Sequence, residues 1–181
     1  MTSLDFPTGT SQNSPDMVIA LAEKMVDHGI KPELECFDFG MINAANMLIA
    51  KGLVGDGPHY FNLLLGSRYS VPATARHLSN MVADIPPDSV WSAAGIGLFQ
   101  LPMNLLAIAM GGHCRVGLED NIYHGFDRGE LATNEGLVER VANISEAFGR
   151  PLASSARART LLGLSRSAAR SEPAAIAALG A

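Results

Sequence analysis

The sequence predicts an α/β fold in which parallel strands alternate with helices. Two kinds of segment lead to this prediction: short apolar runs of strand length, and longer segments with helical apolar spacing. They alternate with a period of about 25 to 30 residues, which is typical of βα units. Because the strand segments are almost wholly apolar, we expect parallel strands that helices cover on at least one face.

The predicted helices have apolar residues three or four positions apart and recognisable ends. Ser14 and Pro15 form an N-cap and a first-turn proline before the first helix, and Gly29 ends it. Five helices are predicted in this way, followed by a short sixth: 17–28, 41–51, 72–84, 101–110, 134–148 and 154–164.

Four strands are predicted between these helices, at residues 32–38, 59–65, 90–96 and 113–118. Two architectures fit the alternation, a doubly wound open sheet and part of a (β/α)8 barrel. The first strand is not followed by the G-x-G-x-x-G phosphate loop of dinucleotide-binding sheets. A whole barrel takes about 250 residues, so four βα units predict half of one over residues 1–164. The Ala-, Ser- and Arg-rich residues 165–181 are expected to form a flexible tail.

The composition excludes several classes of function. Only 17% of residues are charged and the net charge is −5, so the basic face that nucleic acids or anionic membranes require is not expected. The longest apolar stretch, 98–112, is interrupted by polar residues and is shorter than the roughly 20 residues of a membrane span. Cys36 and Cys114 lie in apolar runs, which predicts free thiols, and we expect a cytoplasmic protein with no signal peptide.

Candidate site residues lie at the C-terminal ends of the predicted strands, where parallel α/β folds place their active sites. In the fourth strand, alternation places Arg115 and Glu119 on the face opposite the apolar Val116 and Leu118. An inward arginine and carboxylate are costly unless they are paired, bound to metal or solvated. A structural ion pair and a functional site are both compatible with this spacing, and the neighbouring Asp120 favours a site.

Other polar and aromatic residues are given structural interpretations. Glu33 is expected to be a solvated charge at a strand start, whereas Glu35 lies nearer the functional end of the same strand. Trp91 is expected in the core. The five histidines are not spaced as H-x-H or H-x-x-x-H metal ligands, so no metal site follows from the residues themselves.

Two longer motifs resemble those of the β-keto acid cleavage enzymes, of which the 3-keto-5-aminohexanoate cleavage enzyme of lysine fermentation is the best described. They are R-V-G-L-E-D-N at residues 115–121 and G-I-G-x-x-Q-L-P at residues 95–102. Shorter matches are K-P-E-L-E-C-F-D at 31–38, L-A-T-N at 131–134 and A-R-T-L-L-G-L at 158–164. The resemblance covers residues 14–164, and residues 1–9 are similar to the family's fourth strand.

The resemblance implies the C-terminal half of a (β/α)8 TIM barrel that binds one zinc ion. The metal would be held by two histidines of an H-x-H motif on an early strand and by Glu119. The implied reaction joins a β-keto acid to acetyl-CoA in a retro-Claisen manner and gives acetoacetate and a new acyl-CoA. Asp120 and Arg115 would handle proton transfer and the anionic substrate, and Glu35 would be a further acidic contact.

The sequence departs from the family pattern because it has no H-x-H pair. We therefore expect an incomplete zinc site in a fragment that is inactive alone, with an N-terminal half or a second copy as its partner. No cofactor-binding residues besides the metal ligand are predicted. Two alternatives stay open. One is a non-catalytic, self-associating half-barrel module without metal. The other is a metal-independent lyase or aldolase, which no sequence motif supports.

Overall fold

The computed structural model describes residues 3–6 and 9–164. The predicted tail, 165–181, lies outside the described residues. The strands are β1 (Leu4–Phe6), β2 (Gly9–Ser11), β3 (Glu33–Cys36), β4 (Tyr60–Leu65), β5 (Val90–Gly95) and β6 (His113–Cys114). The helices are α1 (Pro15–Asp27), α2 (Phe39–Ala50), α3 (Ala75–Asp84), α4 (Gln100–Ala109), α5 (Asn134–Ala147) and α6 (Ser155–Leu161), with a 3₁₀ turn at Gly97–Phe99.

A four-stranded parallel sheet with the order β3-β4-β5-β6 forms the centre of the molecule. This confirms the predicted α/β fold with parallel strands. Each strand lies beside its predecessor in the chain, and right-handed connections that all run in one direction place their helices on one face. Contacts of α2 with α3, of α3 with α4 and of α4 with α5 agree with such a row of helices.

Two strands differ from the sequence-based expectation. The similarity of residues 1–9 to a barrel strand places β1 in the parallel arrangement, but β1 pairs antiparallel with β2 in a separate two-stranded sheet. Adjacent segments can pair in this way at a small loop-closure cost. The strand predicted at 113–118 is β6, which ends at Cys114. A turn follows at residues 117–121, where the backbone N–H groups of Asp120 and Asn121 both donate to the carbonyl of Gly117.

The core lies between the sheet and the helices. Alternate strand residues point into it, including Leu34, Phe61 and Leu63, which are buried. Helical side chains that complete this core are Met41, Ile42, Ala45, Leu48, Leu78, Met81, Met103 and Ala107. Trp91 is buried in the same cluster, as expected. The opposite alternate residues form the other face of the sheet, which carries the polar side chains considered below.

Gly95 ends β5 where the start of α4 packs directly against it. A Cβ atom there would lie 2.0 Å from the carbonyl oxygen of Phe99 and 2.7 Å from the backbone nitrogen of Gln100. Since both neighbours are backbone atoms, they cannot move aside without shifting α4. We expect Gly95→Ala to lower the free energy of unfolding by about 2–4 kcal/mol.

Urea denaturation would measure this loss, with Gly52→Ala as the control. Gly52 has a φ of +70°, and a Cβ atom added to it would have no atom within 4 Å, so its substitution tests backbone conformation alone. That effect is about 1 kcal/mol. Equal losses in the two variants would contradict a steric role for Gly95.

Candidate active site

Arg115 is the centre of the site, and three carboxylates surround its guanidinium. Nη1 donates to Glu35 at 2.6 Å, and Nη2 donates to Glu119 at 2.7 Å. Asp120 receives two hydrogen bonds, from Nε at 3.0 Å and from Nη2 at 3.1 Å. The last pair has the two-pronged geometry that arginine forms with a carboxylate. The structure thus brings together all four residues that the sequence selected.

The elements that carry these residues meet at the C-terminal end of the parallel strands. Glu35 is on β3, and Arg115 follows β6, where its backbone N–H donates to the carbonyl of Ala93 at 3.1 Å. Glu119 and Asp120 come from the turn after β6. The ion pair between Arg115 and Glu35 therefore crosses the face of the sheet from its first strand to its last.

The three carboxylates differ in their environments. The Asp120 side chain is 3% exposed, whereas that of Glu119 is 80% exposed. Burial raises the pKa of Asp120 to about 6, and a hydrogen bond with Glu119 adds to this effect. The same hydrogen bond, together with Arg115, lowers the pKa of Glu119. The site therefore holds one carboxyl group that can exchange a proton near neutral pH beside one that stays charged.

Arg115 itself keeps its charge. Burial alone would lower the pKa of its guanidinium, but hydrogen bonds and charge interactions with Glu35 and Asp120 outweigh burial and raise that pKa. The carboxylates of Glu35 and Asp120 are thus held in position by a cation that does not titrate. Because Glu35 binds this cation from the far strand of the sheet, it is a positioning group for Arg115.

Two buried amides on α4 hold the backbone of this site. The Nδ2 of Asn104 donates to the carbonyls of Ala93 and Arg115, both at 3.1 Å. The Nε2 of Gln100 donates to the carbonyl of Gly117 at 3.1 Å. Sequence reasoning did not assign them this role. The available signal was two polar residues four positions apart, and hence on one face, in an otherwise apolar helix.

The G-I-G motif at residues 95–97 also holds the backbone of the site. Gly97 has a φ of +61°, and its N–H donates to the carbonyl of Asp120 at 2.7 Å. Asn134 supports the turn from α5, where its Oδ1 accepts from the N–H of Leu118 at 3.0 Å. The two longest sequence motifs are therefore parts of one structural unit, in which residues 95–104 position residues 115–121.

Three other polar residues near the strand ends and the turn have local roles. Asp38, also at the end of β3, caps α2 by accepting from the N–H of Met41 at 2.8 Å. Asn121 closes its own turn, since its amide group bonds both the N–H and the carbonyl of Tyr123. Glu33 is exposed, in agreement with the expected solvated charge, but it also accepts from Asn62 at 2.7 Å.

That bond ends a polar chain that sequence reasoning missed. Tyr60 donates to Ser92, Ser92 donates to Asn62, and Asn62 donates to Glu33. Asn62 and Ser92 are 1% and 0% exposed. The chain lies on the same face of the sheet as Glu35, with Asn62 and Ser92 level with Glu35 in the strand register and Glu33 and Tyr60 two residues nearer the strand starts. These polar side chains distinguish this face of the sheet from the apolar face that the helices cover.

Within residues 3–6 and 9–164, no three His, Cys, Asp or Glu side chains are arranged to hold a metal ion. Glu119 has what one metal ligand needs, namely an exposed and ionised carboxylate at the sheet edge. A zinc site requires two or three further donors. The described residues thus offer one candidate ligand for a metal site.

Comparison with known proteins identifies the family of this chain. A family described as beta-keto acid cleavage enzyme matches residues 1–164.

The chain belongs to the β-keto acid cleavage enzyme family.

Several curated relatives are similar to the chain over most of its length. The 3-keto-5-aminohexanoate cleavage enzyme of Acetoanaerobium sticklandii is 39% identical over 155 residues, which are 85% of this chain and 56% of the relative. The 3-oxoadipate:acetyl-CoA acetyltransferase of Cupriavidus necator is 40% identical over 166 residues, 90% of this chain and 57% of the relative. The 3-keto-5-aminohexanoate cleavage enzyme of Fusobacterium nucleatum is 41% identical over 155 residues, which are 85% of this chain and 55% of the relative.

The chain thus spans somewhat more than half the length of these β-keto acid cleavage enzymes. The expected family is confirmed. Among the described helices, none is both long enough and apolar enough to cross a membrane.

Proposed function

We propose that this chain forms the C-terminal half of a (β/α)8 barrel that cleaves a β-keto acid with acetyl-CoA. The acyl group of the keto acid moves to the thiol of CoA, and its carboxymethyl carbon joins the acetyl group, so that the products are an acyl-CoA and acetoacetate. The observation that carries this proposal is the Arg115 cluster with Glu35, Glu119 and Asp120 at the carboxyl edge of a parallel sheet.

The half-barrel proposal is supported by the sheet and by the relatives. The sequential strand order is the order of neighbouring strands in a barrel. Within the described residues, β3 and β6 each have one unpaired edge at which further parallel strands could join. Relatives that match this chain over somewhat more than half of their own length have residues enough for the remaining strands.

We propose the following roles for this chain's own residues. Asp120 accepts a proton from the substrate and later returns it, because its raised pKa lets it exchange protons near neutral pH. Arg115 holds the Asp120 carboxylate in place and attracts the anionic substrate. Glu35 positions Arg115 from β3. None of these roles requires a residue outside the cluster.

Glu119 would be one ligand of a zinc ion, and two histidines of an H-x-H motif on the N-terminal half would be others. The sequence itself contains no H-x-H pair. When bound, zinc would supply Lewis-acid polarisation of the keto acid's carbonyl.

The decisive experiment measures zinc content and acetoacetate release from acetyl-CoA plus a β-keto acid such as 3-oxoadipate. It is performed on the chain alone and on the chain mixed with the N-terminal half of a relative. We expect zinc and activity only in the mixture. Stoichiometric zinc in the chain alone would refute the incomplete site, and inactivity of a folded mixture with every keto acid named in the relatives would refute the reaction.

Glu119→Gln tests the ligand assignment in that mixture. Glutamine keeps the size of the side chain but lacks the negative charge that binds the metal, so we expect zinc to be lost together with zinc-dependent turnover. Glu139→Gln is the matched control, because Glu139 is exposed on α5 away from the cluster. Retention of zinc and turnover by Glu119→Gln would show that the ligand is another residue.

A non-catalytic half-barrel module is the second candidate, and the unpaired edges of β3 and β6 favour it. Two copies could pair these edges and enclose the polar face without metal. Sedimentation of the chain alone separates the two functions. A stable dimer that gains neither zinc nor activity when the N-terminal half is added would support this second candidate.

A further inference from the structure

A hairpin beside the cluster carries a cation to which the proposed mechanism gives no role. It spans residues 122–132, where the N–H of Ala132 donates to the carbonyl of Ile122 and Tyr123 pairs antiparallel with Leu131. Its tip carries Arg128, which is exposed. The loops that follow the strands of parallel α/β folds are where such folds bind their ligands.

Arg128 faces the same cavity as the reactive carboxylates. The cavity has a volume of about 270 Å³, and its lining includes Gly97, Glu119, Asp120, Tyr123 and Arg128. Arg128 is the basic residue of this lining. Across residues 3–6 and 9–164, no carboxylate forms an ion pair with it, whereas Arg115 is shared by three carboxylates.

The backbone of Arg128 is held in a conformation that disfavours its own side chain. Its φ is +58°, in the left-handed region that costs a non-glycine residue roughly 1 kcal/mol. Asp127 fixes this turn by accepting from the N–H of Gly129 at 3.1 Å. An arginine at a position that glycine would occupy without strain points to a function for the guanidinium.

The guanidinium is oriented without being neutralised. Its Cζ atom lies over the Tyr123 ring, 5.9 Å from the ring centre, in a cation–π contact. The N–H donors at its edge stay available for a planar, two-pronged contact with a carboxylate or phosphate.

The charge of the Arg115 cluster leaves room for a second cation at the site. The guanidinium of Arg115 is already shared by the carboxylates of Glu35, Glu119 and Asp120, so it leaves little positive charge for a second anion. Both proposed substrates are anions, since a β-keto acid carries a carboxylate and acetyl-CoA carries phosphates.

We propose that Arg128 is an oxyanion-binding residue at the mouth of the active site, and that the 122–132 hairpin is the element that presents it to a substrate carboxylate or phosphate. This inference rests on the proposed function for the identity of the ligands. It adds a binding residue outside the Arg115 cluster and assigns a purpose to the strained backbone of the hairpin tip.

Arg128→Gly is the informative variant, because glycine keeps the left-handed backbone and removes the cation. Calorimetric titration of the full chain, alone and with the N-terminal half of a relative, would use CoA, pantetheine and acetoacetate as separate probes. Weaker CoA binding by about 10-fold, with pantetheine binding unchanged, would identify phosphate as the ligand group. Weaker acetoacetate binding by a similar factor, with CoA unaffected, would identify the carboxylate.

Arg128→Lys should recover part of the affinity, since it restores the charge without the planar fork. Lys51→Ala removes a positive charge after α2, away from the cavity, and should change nothing. Thermal unfolding should show Arg128→Gly at least as stable as the wild type. Unchanged affinity for both anions in Arg128→Gly, or no binding of either by the wild type in both forms, would overturn the proposal.

The same samples separate this inference from the proposed function. Acetoacetate release with unchanged anion affinity in Arg128→Gly would reject the role of Arg128 and keep the reaction. Arg128-dependent anion binding without any acetoacetate release would reject the reaction and keep the binding site.

Discussion

Arg115→Met is expected to lower the free energy of unfolding by about 2–3 kcal/mol and to reduce acetoacetate release by about a thousandfold. Methionine fills similar volume but leaves Glu35, Glu119 and Asp120 without their shared counterion. Removal of one partner from a fully buried ion pair costs more, but the Arg115 side chain is 28% exposed, and water compensates part of the loss. The release assay with the N-terminal half and urea denaturation would measure the two effects.

Arg150→Met is the matched control for this prediction. Arg150 also binds three acceptors, but they are the carbonyls of Ile108, Gly111 and Gly112 at the end of α4. Its loss should destabilise the chain while leaving the pH dependence of the reaction unchanged. If Arg115→Met kept wild-type turnover while stability fell, the cluster would be a structural ion pair only, which is the alternative that the sequence left open.

Asp120→Asn is expected to reduce turnover by about 10²- to 10⁴-fold while the fold is retained, because an amide cannot accept the proton. Burial already disfavours the charged form of Asp120 in the folded chain, as its raised pKa shows. A neutral side chain of the same shape should therefore change the free energy of unfolding by no more than about 1 kcal/mol.

The pH profile makes this prediction specific. A base must be ionised, and the ionised fraction of Asp120 increases as the pH rises through about 6. Wild-type turnover should therefore fall as the pH drops through this value. The residual rate of Asp120→Asn should not show this decrease. Asp38→Asn is the control, since Asp38 follows β3 at the same end of the sheet and asparagine caps α2 equally well. A wild-type profile that stays flat between pH 5 and 7 would remove Asp120 from the proton transfer.

Much of the site could be predicted because it lies in one short segment. Arg115, Glu119 and Asp120 are within six positions at the end of a strand, so periodicity and strand direction bring them to one place. Glu35 is 80 positions from Arg115. It was selected because the carboxyl ends of parallel strands meet at one edge, and the structure joins the two at 2.6 Å.

The roles of residues on other elements could not be predicted in the same way. The amides of Gln100 and Asn104 bind backbone carbonyls of the segment after β6. Their function depends on how α4 packs against that segment, which no local pattern encodes. The early end of β6 has the same origin, because the turn at Gly117 takes the backbone out of the sheet.

The sequence by itself determined the alternation of strands and helices, the parallel sheet, the family and the carboxylate–arginine composition of the site. These follow from periodicity and from motifs that are local along the chain. Only the tertiary structure decided that Asp120 is buried and Glu119 exposed, although the two are adjacent. Burial depends on what packs around a side chain from distant segments, and burial is what separates a carboxyl group that exchanges protons from one that stays charged.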